Sequence, residues 1–382
     1  RYFVYDEHFK EGSPVFLEVG FESPISEYSI RSTQMASYYS PRFHALTLGL
    51  EARFYGESHP LNDTSVDSLK LLTIEQMLAD IASFIDFYKM TDKRTLNSKW
   101  IVFGCSFSGA LAAWMRTAYP DHVNAAVAYS GPINVKFNFK EYLEVTSQVL
   151  GKECSSNVDK AFNELSSYLK NQTDLKNFYQ QYGICENFDG KNAKDVSLLM
   201  LRLIEYFQAT VQYNNQDYNI EEVCEIMSKE QPLAKLNQRF LNYPCLDVSY
   251  TKALKVFQKT ELDAPAWDDL FGNRQYIYQL CNEIASFQTT DSKNQPFGSD
   301  LPIGFFTTMC ADIFGNQFNS DFIEQSVSRT NLKYARDESK LTNLVIINGA
   351  QDPWRIITEV NSTSSTVKSF VIDNGHHCPE YD

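Results

Sequence analysis

KWIVFGCSFSGALAAWMRTAYP, residues 99–120, reads as an apolar strand, a serine set between glycines, and then a helix. Gly104 stands two residues before Ser106 and Gly109 three after it. A sharp strand-to-helix turn leaves no room for side chains at such places, and it lifts the serine hydroxyl onto the rim of a sheet. The match to G-x-S-x-G slips by one position, because Ser108 stands where the second glycine belongs. Alone, the stretch reads equally well as a glycine-containing strand end whose serine caps the next helix. Read as a nucleophile elbow, it makes Ser106 the candidate nucleophile.

A serine needs a base to take its proton, and an imidazole in that role needs a carboxylate to hold its tautomer. Of six histidines, His8, His44, His59 and His122 precede or closely follow the elbow. His376 and His377 sit in DNGHHCPEY, after TVKSFVID, which reads as a last strand. Upstream, LTNLVIINGAQDPW places Asp352 just past another apolar strand, at the rim where loops carry chemistry. The order Ser, Asp, His is that of α/β-hydrolases. Each partner has a plainer reading, Asp352 as a turn residue before Pro353 and the histidine pair as a solvated loop. The order of all three is what favours chemistry, with His377 as base and His376 as bystander.

An oxyanion formed at such a serine needs preorganised donors, and backbone N–H groups supply them. The N–H of Phe107 is the first candidate, and the loop after an early strand, at Gly20 and Phe21, is expected to supply the second.

The 382 residues are 43% hydrophobic, enough for a large core and, by length, for two units. A net charge of −14 makes nucleic acid an improbable partner, since phosphate repels such a surface. No phosphate loop, zinc spacing or histidine pair at helical metal-binding separation is present, so no metal and no cofactor are expected. No apolar run has the length of a membrane span. No signal-peptide pattern opens the chain, and a removed leader before Arg1 is the expectation. Sequons at Asn62, Asn171 and Asn361 and eight cysteines favour a lysosomal or secreted protein.

α/β alternation is read in the first part of the chain: strands at 15–20 and 43–50, an amphipathic helix in LLTIEQMLADIASFIDFYKM, and a strand in HVNAAVAYSGPI after the elbow helix. After Pro132 the chain turns to long polar helical stretches rich in Tyr and Asn, and strand signals return at LTNLVIING. This predicts an α/β-hydrolase core, residues 1–135 and 326–382, split by a helical cap, residues 136–325. DSKNQPFGSDLP, 291–302, is rich in turn formers and is expected to be a mobile edge of that cap. Six cysteines fall in the middle of the chain, Cys154, Cys185, Cys224, Cys245, Cys281 and Cys310, and their spacing leaves connectivity, or a reduced buried state, open. Cys105 and Cys378 flank the candidate nucleophile and base, and free thiols are expected there, since a bridge would restrict the base.

RYFVYDEHF, LEARFYGES, EQMLADIASFI, GCSFSGALAAW, YQLCNE, CADIFG, NGAQDPW and NGHHC together resemble the lysosomal prolyl carboxypeptidase and dipeptidyl peptidase II family, which includes thymus-specific serine peptidase. The resemblance spans nearly the whole chain. It implies a serine exopeptidase cutting peptides at prolyl bonds, as a Pro-Xaa carboxypeptidase or an Xaa-Pro dipeptidyl peptidase, with Ser106, Asp352 and His377 as its triad. It also implies disulfides Cys154–Cys224, Cys185–Cys245 and Cys281–Cys310, and Trp354 in the proline pocket. Glu283 and Ala110, the latter where the family often has methionine, are assigned to the substrate on the same ground. Members of the family often dimerise, and a homodimer is the corresponding expectation.

The chain departs from the family at Ala52, Ser108, Ala110 and VGFES, which bears on prolyl specificity more than on the triad. Glu22, Glu51, Glu57, Glu283 and Asp312 are acidic residues in family-like motifs, most of them expected to be structural, bonded to backbone or to Arg53. A carboxylate would read a substrate's free amine and an arginine its carboxylate, and the sequence leaves that choice open. An ester hydrolase on the same fold and a catalytically silent binding homologue are the alternative functions. Labelling by an active-site fluorophosphonate separates the silent protein from either enzyme.

Overall fold

The computed structural model describes residues 1–28, 30, 35–171, 182–185, 188–240, 245–262, 273–335, 341–360, 362 and 364–378. Its centre is a seven-stranded sheet in the order β1-β3-β2-β4-β5-β6-β7. The strands are β1 Tyr2–Tyr5, β2 Val15–Val19, β3 Leu46–Leu50, β4 Trp100–Cys105, β5 Ala125–Tyr129, β6 Leu344–Gly349 and β7 Val367–Ile372. All neighbours pair in parallel except β1, which runs antiparallel to β3 at the edge. Parallel strands covered on both faces read as near-continuous apolar runs, and VFLEV of β2 is buried at every position. Alternate residues serve opposite faces. Trp100 and Val102 join the large core, while Phe103 packs with Phe16 and Ala36 behind the sheet.

Helix α1, Met35–Phe43, precedes β3, and the strand expected over 43–50 begins only at Leu46. Phe43 closes the helix and His44 takes a left-handed φ of 52°, which turns the chain before pairing can start. After α2, Val66–Leu69, comes α3, Ile74–Thr91, which buries Ile74, Met77, Leu78, Ile81, Ile85 and Tyr88 along one face. Its N-cap Thr73 accepts from the Gln76 N–H at 3.2 Å, a contact worth about 1 kcal/mol. Helix α4, Phe107–Ala118, follows β4 directly.

Helices α5 Glu141–Leu150, α6 Lys152–Asn171, α7 Ala193–Tyr213, α8 Ile220–Met227, α9 Pro232–Phe240, α10 Tyr250–Phe257, α11 Arg274–Gln279, α12 Ile303–Phe314 and α13 Ser320–Tyr334 lie between β5 and β6. Helix α13 runs across the boundary expected at 325/326 and stacks Tyr334 on Trp114 of α4, ring centroids 5.5 Å apart. The last helix, α14 Arg355–Thr358, follows β6. Disulfides join Cys154 to Cys224, Cys185 to Cys245 and Cys281 to Cys310 within the helical segment. Loops of this length contribute about 3–4 kcal/mol each when closed, on the chain-entropy argument.

The stretch 291–302 is a packed turn rather than the mobile edge expected from its composition. Gln295 Nε2 donates to the carbonyls of Ser292 and Gly298 at 3.0 and 2.7 Å. Phe297 is wholly buried against Phe162 and Phe207. Turn formers shape the backbone there, while one aromatic anchors it. Of the sequons, Asn62 is exposed, whereas Asn361 and the side chain of Asn171 lie outside the described residues.

Candidate active site

The rim formed by the carboxyl ends of the parallel strands gathers the three candidate residues, as open α/β sheets do where their strand order reverses. Ser106 follows β4 with φ 58° and ψ −130°, a left-handed conformation that a side chain adopts only when its surroundings impose it. Here the Ser106 N–H donates to the Tyr129 carbonyl at 2.8 Å, tying the turn to β5. A Cβ on Gly104 would collide with the Ser108 carbonyl, and one on Gly109 would lie 2.8 Å from the Tyr129 oxygen. The one-residue slip in the motif is thereby explained. Gly109 makes the close backbone approach, while Ser108 faces the cleft and has room for its side chain.

Ser106 Oγ lies 2.9 Å from His377 Nε2, and His377 Nδ1 lies 2.9 Å from Asp352 Oδ2. A carboxylate only accepts, so Nδ1 carries the proton and Nε2 is left to accept from the serine hydroxyl. Asp352 is fully buried after β6, and its other oxygen accepts from the Trp354 N–H at 2.9 Å. The His377 backbone N–H donates to the Gln212 carbonyl at 2.9 Å, so the end of α7 holds the histidine loop. His376 turns away and sets Nδ1 2.8 Å from the Val211 carbonyl.

Cys105 and Cys378 form a disulfide, which corrects the expectation of free thiols there. Their Cα atoms are 5.8 Å apart, within bridging range, because the loop after β7 folds back over the end of β4. The bridge joins the residue before Ser106 to the residue after His377, so it anchors backbone and leaves the imidazole ring in place. Cys105, His377 and Cys378 have ligand atoms within 4.8 Å of one another, but both sulfurs are spent in the bridge.

Phe107 opens α4, where the first N–H groups of a helix have no intrahelical acceptor. Phe21 stacks on Phe107 with centroids 4.3 Å apart, which brings the two candidate donor residues together. Gly20 is corrected: its N–H donates to the Leu50 carbonyl at 2.8 Å and is not free for an oxyanion.

Two cavities of about 490 and 380 Å³ meet at Ser106, and Glu22 and Tyr213 line both. Trp354 lines the second with Tyr142, Phe287 and Phe306. Gln212 Oε1 accepts from Trp354 Nε1 at 2.9 Å and from the Tyr142 hydroxyl at 2.8 Å, fixing both rings. Burial holds the Tyr142 phenol well above its ordinary range, and burial together with Glu22 pushes that of Tyr213 up to about 12, so both remain hydrogen-bond donors. Tyr142, Gln212, Phe287 and Phe306 escaped the sequence reading, since they come from three helices and a bridged loop whose docking no local pattern announces.

Ala110 is corrected too, being wholly buried in the core under the elbow rather than facing substrate. Glu283 lines neither cavity; its carboxylate accepts from the Ile74 N–H at 2.9 Å at the start of α3. Among the other acids, Glu51 accepts from the Ile25 and Glu57 N–H groups and pairs with Arg1, as does exposed Glu57. Asp312 holds Lys194 and the Tyr250 hydroxyl. Arg53 takes Asp80, not any of these acids.

Glu18, the fourth of the five residues of β2, is buried beside the first cavity and accepts from the Ala36 N–H at 3.1 Å. Burial lifts its carboxyl to about 7, and burial lifts Glu283 to about 7 as well. Both folded values exceed the ordinary 4.5, so the folded chain retains protons that the unfolded chain releases between about pH 4.5 and 7. These groups therefore favour folding at acid pH and lose that contribution as pH rises through the window. Glu18→Gln is expected to raise thermal stability at pH 7.5 relative to pH 5, by on the order of 2–3 kcal/mol, judged by melting both proteins across pH. Parallel pH curves for the parent and variant would refute the assignment.

The profile of the serine carboxypeptidase S28 family matches residues 1–382. A Caenorhabditis elegans protein named for serine protease activity is 32% identical over 409 residues, covering 100% of this chain and 78% of its own. Thymus-specific serine protease of Mus musculus is 28% identical, with coverage of 99% and 77%, and lysosomal Pro-X carboxypeptidase of Bos taurus 25%, with coverage of 99% and 77%. Among solved structures, proline iminopeptidase of Mycobacterium smegmatis aligns at TM-score 0.41 and 11% identity, covering 99% of this chain and 87% of that one. Among the described residues no helix is long and apolar enough to cross a membrane. The chain belongs to the serine carboxypeptidase S28 family and is a serine-type peptidase on the α/β-hydrolase fold.

Proposed function

We propose that the protein hydrolyses peptides at the bond following a proline, through an acyl-enzyme on Ser106. The observation that carries this is the run of contacts from Ser106 Oγ through His377 to Asp352, 2.9 Å each, opening onto a cavity walled by Trp354, Tyr142 and Phe287. As Ser106 Oγ attacks the scissile carbonyl, its proton passes to His377 Nε2, and Asp352 stabilises the imidazolium. The N–H groups of Phe107 and Phe21 receive the oxyanion. Collapse breaks the C–N bond, the imidazolium protonates the departing amine, and water, deprotonated by His377, releases the acid and restores the serine.

A rigid pyrrolidine ring suits a pocket of aromatic faces, because it is apolar and loses little entropy on binding. Trp354 is the natural floor, held between Phe139 and Tyr142 with centroids 5.6 and 5.5 Å away. The helices between β5 and β6, α5 to α13, act as the cap over this pocket. Four disulfides and the lysosomal name of one relative support a lysosomal or secreted setting.

The test is a library of peptides with proline at defined positions, digested at acid and neutral pH and read by mass spectrometry. Scission on the carboxyl side of proline is the expected result. Turnover of short acyl esters with all proline peptides left intact would replace this reading with an ester hydrolase.

A further inference from the structure

We propose that Glu22 receives the free α-amine of the substrate, so that the enzyme removes Xaa-Pro dipeptides from amino termini. The inference rests on the prolyl-peptidase reading and settles which end is recognised. Glu22 lines both cavities that meet at Ser106, open to the cleft. Among the described residues no hydrogen bond or ion pair takes up its carboxylate. The other acids nearby are spent: Glu205 pairs with Arg202 at 2.8 Å, and Glu18 accepts from a backbone N–H.

Charge complementarity selects the terminus. Among the described residues neither cavity is lined by a lysine or arginine, the side chains that pair most strongly with a carboxylate. A carboxylate offers only acceptors, and an ammonium offers three donors. The surrounding walls lift the Glu22 carboxyl above its usual range while positive charge on His377 would lower it, and a bound ammonium would act in that second direction. The phenols of Tyr213 and Tyr276 line the second cavity beside it and stay protonated.

Position agrees with charge. Glu22 directly follows Phe21, the proposed oxyanion donor, so its Cα is about 3.8 Å from that of the residue facing the scissile carbonyl. The nitrogen of a residue preceding proline lies within about 7 Å of chain from that carbonyl. A side chain one residue beyond the oxyanion donor is therefore placed to meet a dipeptide's amine.

Three peptides test this: Ala-Pro-Phe, its N-acetyl form and its C-terminal amide. The parent enzyme is expected to release Ala-Pro, to lose about 10- to 100-fold in kcat/KM on acetylation, and to change little on amidation. In Glu22→Gln the free peptide should fall to the acetylated rate, collapsing the ratio to near one. Loss on amidation without loss on acetylation overturns the proposal and leaves prolyl cleavage standing. A Glu22→Gln enzyme that keeps the parent's ratio also overturns it. Failure to cut after proline in all three peptides overturns both readings. The acetylation comparison is made on the parent, so it holds even where the variant does not fold.

Discussion

Ser106→Ala is expected to lower kcat by about a million-fold while leaving the fold intact. Two features separate chemistry from stability at this position. Alanine retains the Cβ, so the left-handed turn at φ 58° is no more strained than in the parent. The serine side chain makes no capping bond to α4, so the helix loses nothing when Oγ goes. What goes is the atom 2.9 Å from His377 Nε2 to which the proposed mechanism gives the acyl bond. Residual turnover of about 10³–10⁴ over water should persist, carried by the oxyanion donors and substrate binding. The measurement is kcat on a proline peptide, with fluorophosphonate labelling and a melting curve alongside. Labelling of the parent but not the variant, at matched stability, is the expected pattern. A variant within tenfold of the parent would remove Ser106 from the mechanism.

Asp352→Asn is expected to cost about 10⁴-fold in kcat with KM little changed, for a reason visible in its two oxygens. Oδ1 accepts from the Trp354 N–H and Oδ2 faces His377 Nδ1, each at 2.9 Å. An asparagine would keep its carbonyl on the Trp354 N–H and turn its amide N–H toward Nδ1. That makes Nδ1 the acceptor and puts the imidazole proton on Nε2, facing Ser106, where it cannot take the hydroxyl proton. The side chain is fully buried, so solvent cannot rescue the correct tautomer. A loss of less than about tenfold would show that another group orients His377.

Much of this site was legible because its parts are local. The glycines around Ser106 announce a turn that excludes side chains, and Asp352 and His377 each follow a strand legible in the sequence. Parallel strands end on one rim, so residues just beyond them converge whatever lies between. The departures came where a local pattern has more than one tertiary outcome. Gly20 sits in the expected loop, yet its N–H is taken by Leu50 across the sheet. Glu283 lies in a family-like motif but faces the first turn of α3. The Cys105–Cys378 bridge joins residues 273 apart, and no spacing rule links them.

The sequence by itself determined the α/β alternation, the tight turn at Ser106 and the placing of Ser106, Asp352 and His377 just past strands, because strand burial and tight turns are written in neighbouring residues. Tertiary structure alone decided what surrounds them. The end of α7 supplies the carbonyls that hold the histidine loop and the glutamine that fixes Trp354, and among the described residues packing leaves Glu22 without a partner in the cleft. Those contacts join segments far apart in the chain, and side-chain packing, which has no period along the sequence, sets which of them meet.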